Sequence, residues 1–407
     1  MNNSMNNSMA PVVHKLDMSA CSPDKVNTKY IRGLYDDYYI LQYSNLGISF
    51  NDYKNTLYRS VVFSNPQKQV LSFTPMKSMQ VSDFMQNYPS ITTDNIYINE
   101  YIEGLMVQLF YDHRINKWIM GTKGGIGGNY CFGAEKKKDS MTFYDMLLDA
   151  LHTNRNETLN KTSLLEFFPT KFSYTFIMQH PKNPIITPVD RPHLYLVSVY
   201  FINSEDNQVE YVSPLEYESW PAFKNIDGII EFPKQYLYSD YKSAITDCEE
   251  NKDIGHAGVI ITNTITGRHC RIKTPVYELF KKTLNIDAET EYLYLCIRRI
   301  NKVKEFLKYY PKYKRAFHKL NEQYDNMVKT VYQYYCDYYI YGVETRNGTV
   351  GSKYFTHIYK IHHNIYIPSF TIKNIGRVRI CRKTVREYFD KMEPRELLYI
   401  LSEDRRQ

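Results

Sequence analysis

The hydrophobic period of this 407-residue chain changes near residue 285, and that change limits its fold more than any other feature. Between Tyr30 and about Asn285 the apolar residues come in short runs bounded by turn residues: LYRSVVF, GLMVQLFY, KWIMGT, HLYLVSVYFI and AGVIITNT. Runs of this length, rich in β-branched and aromatic residues, read as strands. Helical segments interrupt them without a regular strand–helix–strand alternation, so the expected class is α+β with antiparallel sheets and flanking helices. Beyond 285, Phe317, Leu320, Tyr324, Met327, Val331 and Tyr335 recur at spacings of three and four. That spacing lays one apolar stripe along a helix. Pro311 parts this helix from an earlier one carrying Val303, Phe306 and Leu307. KTVREYFDKMEPRELLYIL is expected to close the chain as a last helix. At the other end, MNNSMNNSM opens a low-complexity segment expected to be disordered through residue 28. The expected organisation is a disordered 1–28, an α+β domain over 29–285 and an all-helical C-terminal domain over 286–407.

Composition narrows the class. Hydrophobic residues make up 43% and aromatic residues 15%, enough for a packed core and too much for wholesale disorder. A net charge of +7 suits a nucleic-acid partner without proving one. The 39 tyrosines fit the codon bias of an A/T-rich genome, and they equally supply faces for stacking bases. Seven scattered cysteines, none in a C-x-x-C pair, indicate neither a disulfide framework nor a cysteine zinc site. A reducing compartment follows. His256, His269, His362 and His363 form no recognisable metal set. No run reaches membrane-spanning length and no signal pattern opens the chain, so a soluble cytoplasmic protein with no membrane partner is expected.

Residues 97–128, YINEYIEGLMVQLFYDHRINKWIMGTKGGIGG, read as a strand, a turn, a second strand and a glycine-rich bend. Gly124, Gly125, Gly127 and Gly128 lack the spacing and following helix of a phosphate-binding loop and read as a turn. Trp118 is either a core ring or a base-stacking one. Arg271 and Lys273 alternate on a strand and so face one side. From Arg298 to Lys319 there are nine Lys or Arg residues and one acid, Glu305. Such a run is either the wet side of a helix or an RNA contact.

Four segments, taken in order, carry a family resemblance: LYRSVVFSNPQKQVLSFTPMKSM, IEGLMVQLFY with KWIMGTKGG, YTFIMQHPKNPIITP with LYLVSVY, and HAGVIITNTITGRHCRIKTPVY. Together they resemble the RNA-ligase branch of the covalent nucleotidyltransferases, the superfamily that includes mRNA-capping guanylyltransferases. RNA-ligase-like proteins of large DNA viruses are the most similar group. The resemblance spans about residues 55–285 and implies a nucleotidyltransferase domain there; the helical tail is similar to that viral group too. It implies that Arg59, Lys77, Lys123, Arg271 and Lys273 hold substrate phosphates.

The departures from the family pattern concern the chemistry. Tyr101 stands where K-x-D-G has its nucleophilic lysine, and Ile177 and Ala257 stand where the third and fourth motifs have glutamates. The family reaction needs an amine to attack the α-phosphorus and carboxylates to hold a divalent metal. A phenol, an alkyl group and a methyl group supply neither. The resemblance therefore implies a pseudoenzyme with no catalytic residue, no metal ligand and no cofactor. It would bind an RNA 5′ end, capped or phosphorylated, in viral mRNA processing or translation in the infected cell's cytoplasm. Tyr101 and Trp118 would be its base-stacking residues. The alternatives are an active ligase using ATP or GTP with Mg and a displaced lysine, and a scaffold that holds protein partners through its helical C-terminal domain.

Overall fold

The computed structural model describes residues 12–403 apart from 34, 45–52, 94, 131–140, 154–164, 184–185, 188, 225, 227, 285–289, 343–351 and 372–377. The chain forms two compact units, Met1–Glu278 and Leu279–Gln407. In the first unit the strands are β1 (Val13–Lys15), β2 (Val26–Arg32), β3 (Asp37–Tyr43), β4 (Val61–Ser64), β5 (Val70–Ser72), β6 (Ile96–Glu100) and β7 (Leu105–Asp112). They continue as β8 (Lys117–Thr122), β9 (Gly125–Ile126), β10 (Phe172–Gln179), β11 (His193–Asn203), β12 (Gln208–Val212), β13 (Gly258–Asn263) and β14 (His269–Lys273).

These strands build three antiparallel sheets, ordered β1-β12-β11-β10-β7-β8-β9, β2-β3-β4-β5 and β14-β13-β6. Strand alternation decides what each face covers. On one face of the seven-stranded sheet Met120, Tyr174, Phe176, Met178, Leu194 and Leu196 pack with the helix Phe143–Thr153. The opposite face packs on the four-stranded sheet: Tyr200 and Tyr211 meet Leu41, Val61 and Phe63, while Phe110 and Ile119 meet Ile40 and Val62. In the three-stranded sheet Ile98, Val259, Ile261, Cys270 and Ile272 lie under the helices Val81–Asn87 and Tyr241–Glu250. By the same alternation Asn99, Ile260, His269, Arg271 and Lys273 point the other way.

Gly258 opens β13 at φ +134, and a Cβ there would press on the Ile272 carbonyl and stand 2.7 Å from Lys273 Cα. Gly258→Ala is therefore expected to destabilise the first unit by about 2 kcal/mol or more, read as a lower denaturant midpoint at unchanged m-value.

The second unit is helical. Its longest helix, Lys314–Tyr335, buries all six stripe residues, as the period required. Phe306 stacks on Tyr310 at 4.6 Å and on Phe317 at 5.4 Å, so aromatics interleaved in the basic run pack on one another. Two expectations need correction. Disorder does not extend to residue 28: β1 pairs with β12, and Leu16 and Val26 are buried. Their side chains complete the core between the two larger sheets; residues 1–11 lie outside the described residues. The closing segment is two helices, Arg382–Asp390 and Pro394–Glu403, because the proline disfavours helical backbone in the residue before it. Among the described residues no helix is long and apolar enough to cross a membrane.

Candidate functional site

Five connected segments of the first unit bring Arg59, Lys77, Lys123, Arg271 and Tyr101 into one cluster. Arg59 precedes β4 and sits among Tyr43, Tyr101, Tyr200 and Arg271. Lys77 follows β5, and two backbone bonds hold its segment: Lys77 N–H to the Thr56 carbonyl at 3.0 Å and Met79 N–H to the His269 carbonyl at 2.8 Å. Lys123 lies in the β8–β9 turn, whose Lys123 carbonyl accepts from Ser60 Oγ at 3.0 Å and from the Gln42 amide. The buried Gln108 amide donates to Ser60 Oγ at 2.6 Å and to the Thr122 carbonyl at 3.0 Å. One polar network thus sets the positions of the Arg59 and Lys123 segments. Buried networks of this kind hold geometry because each unmade bond is costly.

The cations sit over tyrosine rings. Lys77 Nζ and Lys123 Nζ lie 5.6 and 5.7 Å from the Tyr43 ring centroid, and the Arg271 guanidinium lies 5.4 Å from that of Tyr101. Cation–π contacts hold a charge in place without neutralising it. Among the described residues Arg59, Lys123 and Arg271 have no carboxylate partner, and Arg271 Nε is buried with no acceptor. Burial first and Arg271 second lower the Arg59 guanidinium to about 10. Burial and then Arg59 pull the Lys123 ammonium below the usual lysine range. His269, on the same face of β14 as Arg271, is pushed down to about 3 by burial, Arg271 and Arg59, and stays neutral. The arrangement concentrates positive charge and leaves the Arg271 Nε donor unsatisfied.

Around Tyr101 the backbone is tight. Its N–H bonds the Gly258 carbonyl at 2.9 Å, and a Cβ on Gly104 would stand 2.6 Å from the Met178 carbonyl oxygen and 2.7 Å from Ile177 Cγ2. Only glycine allows that approach. Tyr277 meets the Tyr101 ring edge-on at 5.7 Å; its phenol is driven far up by burial and by Tyr101 and Glu103. Glu103 accepts the Thr187 N–H at 2.7 Å.

Two of the sequence-derived residues lie apart from this group's chemistry. Lys273 shares the face of Arg271, but its ammonium is ion-paired to Glu278, one turn into the helix Pro275–Leu284. Trp118 alternates with Met120 onto the helix-covered face, where it packs against Phe168 and Tyr174, each at 6.2 Å. Tyr43, Tyr200 and His269 were not anticipated as neighbours of the cations. Buried polar atoms without partners, Asn99 Oδ1 and Thr175 Oγ1, are further unanticipated features. Among the described residues no group of three or more His, Cys, Asp or Glu side chains is placed to hold a metal.

No protein-family profile and no curated protein matches the chain. Among solved structures it is similar to a mutant Naegleria gruberi RNA ligase with AMP and Mn, at TM-score 0.38 and 7% identity over 53% of this chain and 59% of that one. It is also similar to an archaeal ATP-dependent RNA ligase, at TM-score 0.39 and 9% identity over 66% and 62%. For the Naegleria gruberi RNA ligase with PPi the values are 0.38 and 9% over 60% and 66%. The chain spans about three fifths of the first-named ligase.

Proposed function

We propose that the chain binds RNA by its 5′ end, capped or phosphorylated, and transfers no nucleotide. The observation that carries this reading is the cluster of Arg59, Lys77, Lys123 and Arg271, in which a like-charged arginine pair has no carboxylate partner among the described residues. Two neighbouring guanidiniums, with the charge of Arg59 disfavoured by burial and by Arg271, suit a ligand bearing several negative oxygens in a small volume. The 5′ phosphates of an RNA, or the bridge of a cap, have that form. Tyr101 and Tyr43 supply faces on which a base can stack, and a cationic cap base gains further from a tyrosine face. Loss of reactivity follows from Tyr101, Ile177 and Ala257, whose side chains offer neither a nucleophilic amine nor a metal ligand. The ordered resemblance of the four motifs supports viral mRNA processing or translation as the setting, in the cytoplasm of the infected cell.

Competition binding tests the end preference. Triphosphate-ended RNA and cap analogue are expected to displace a labelled 5′ end far better than internal fragments of equal length. Full displacement by internal fragments, with none by cap analogue or triphosphate, rejects the proposal.

One observation favours a second reading, an active ligase. Lys123 lies beside Arg59 with a lowered pKa, as a nucleophilic amine requires. Its Nζ would form a bond to the α-phosphorus of ATP or GTP while the bond to the β-phosphate oxygen breaks, releasing pyrophosphate and a proton to solvent. Incubation with ATP or GTP and Mg²⁺ is expected to leave the intact mass unchanged. An alkali-stable, acid-labile nucleotidyl adduct mapped to Lys123 would establish the ligase instead.

A further inference from the structure

At the edge of the seven-stranded sheet formed by β8 and β9 there is a cavity of about 410 Å³, within the range that small ligands occupy. The rings of Tyr35, Trp118 and Tyr144, the carboxamides of Asn116 and Asn129 and the side chain of Lys117 line it. Trp118 is fixed from behind by Phe168 and Tyr174, whereas Tyr35 and Tyr144 are 57% and 42% exposed. Lys117 Nζ stands 4.5 Å from the Tyr35 ring centroid, and no acid lines the cavity among the described residues.

These aromatic rings, with that of Tyr38, and the two carboxamides match a planar heterocycle whose edge carries hydrogen-bonding groups. The Lys117 ammonium at a cavity whose described lining has no acid favours a neutral base on an anionic backbone over a cationic base. The cavity also lies on a route to the cationic cluster. Strand β8 runs from Lys117 at the cavity to Thr122, next to Lys123, a span of roughly 17 Å. Alongside it, Lys29 of β2 reaches the same turn, donating to the Gly124 carbonyl at 2.9 Å.

From this we infer that the cavity is a second base-binding subsite for single-stranded RNA, taking a neutral base a few nucleotides downstream of the 5′ end held at the cluster. The inference rests on the proposed function and adds a length requirement to it. Tyr35→Ala/Tyr144→Ala in the full chain is expected to weaken a 5′-phosphorylated hexanucleotide about tenfold and to leave a 5′-phosphorylated dinucleotide unaffected. In a Trp220→Phe background, where Trp118 is the remaining tryptophan, the hexanucleotide should quench fluorescence saturably and the dinucleotide should not. Equal losses at both lengths, or none at either, overturn the subsite and leave end binding standing. Absence of binding by the native chain at both lengths, repeated with capped oligonucleotides, overturns the subsite and the proposed function together.

Discussion

Replacing Arg59 and Arg271 together by methionine is expected to lower affinity for a phosphorylated RNA end by about a hundredfold or more, while the protein becomes harder to unfold. Each charge-assisted hydrogen bond from an arginine to phosphate contributes about 1.5–3 kcal/mol, so losing two removes two to four powers of ten in affinity. Stability moves the other way because the two guanidiniums repel each other. The Arg59 guanidinium is lowered to about 10 from an ordinary 12.5, through burial and then Arg271. A lowered pKa in a base means that its charged form is disfavoured in the folded state. Folding therefore carries a penalty at neutral pH that fades only as pH rises from about 10 towards 12.5. The penalty is on the order of 1–3 kcal/mol, and methionine removes it while keeping the aliphatic packing of the arginine stem. The salt dependence of binding to single strands should also flatten by about 1.4 units, 0.7 for each lost phosphate contact. Denaturant midpoints and binding isotherms at several salt concentrations check both halves. A less stable variant that binds RNA normally would make the arginines structural.

The sequence carried much of the fold because the period change near 285 is a direct image of strand pleat and helix pitch. The stripe from Phe317 to Tyr335 lies buried as its spacing required. The site was legible only where a motif marked it. Arg271 was found through its place two residues before Lys273, and Tyr101 through its place before Gly104. Tyr43 comes from a strand whose other residues serve the core, and Tyr200 is itself a core residue packed on Phe73, so nothing local marks either tyrosine as a neighbour of the cations. The environment of Trp118 turned on parity. Alternation puts it with Met120 instead of Ile119, but which face the helices cover is a tertiary fact. The pairing of Lys273 had a local trace, since Pro275 starts a helix that carries Glu278 back towards the strand. The break at Pro394 was likewise written in the sequence.

Acidification from pH 6.5 to 5 is expected to cost the first unit about 2 kcal/mol through His269 alone. This imidazole is lowered to about 3 by burial, then by Arg271 and Arg59, against an ordinary 6.5. Between those values the unfolded chain takes up a proton that the folded chain refuses. The stability His269 contributes is therefore fully present above 6.5 and is lost progressively as pH falls towards 3, by about 1.4 kcal/mol per unit. His14 is also lowered, by burial, so the quantity to measure is the difference between the native chain and His269→Gln. The native chain should lose stability faster by about 2 kcal/mol over this interval, with the two curves running parallel above pH 7. A polyanion at the cluster opposes the trend, because phosphate oxygens beside Arg59 and Arg271 lower the energy of a third positive charge. By linkage, a triphosphate should then bind the native chain more tightly at pH 5.5 than at pH 7, after correction for its own protonation, and His269→Gln should lose that gain. Parallel stability curves throughout would mean that neither burial nor the two arginines hold the His269 imidazole down. The faster stability loss of the native chain without the binding gain would instead place the anion away from them.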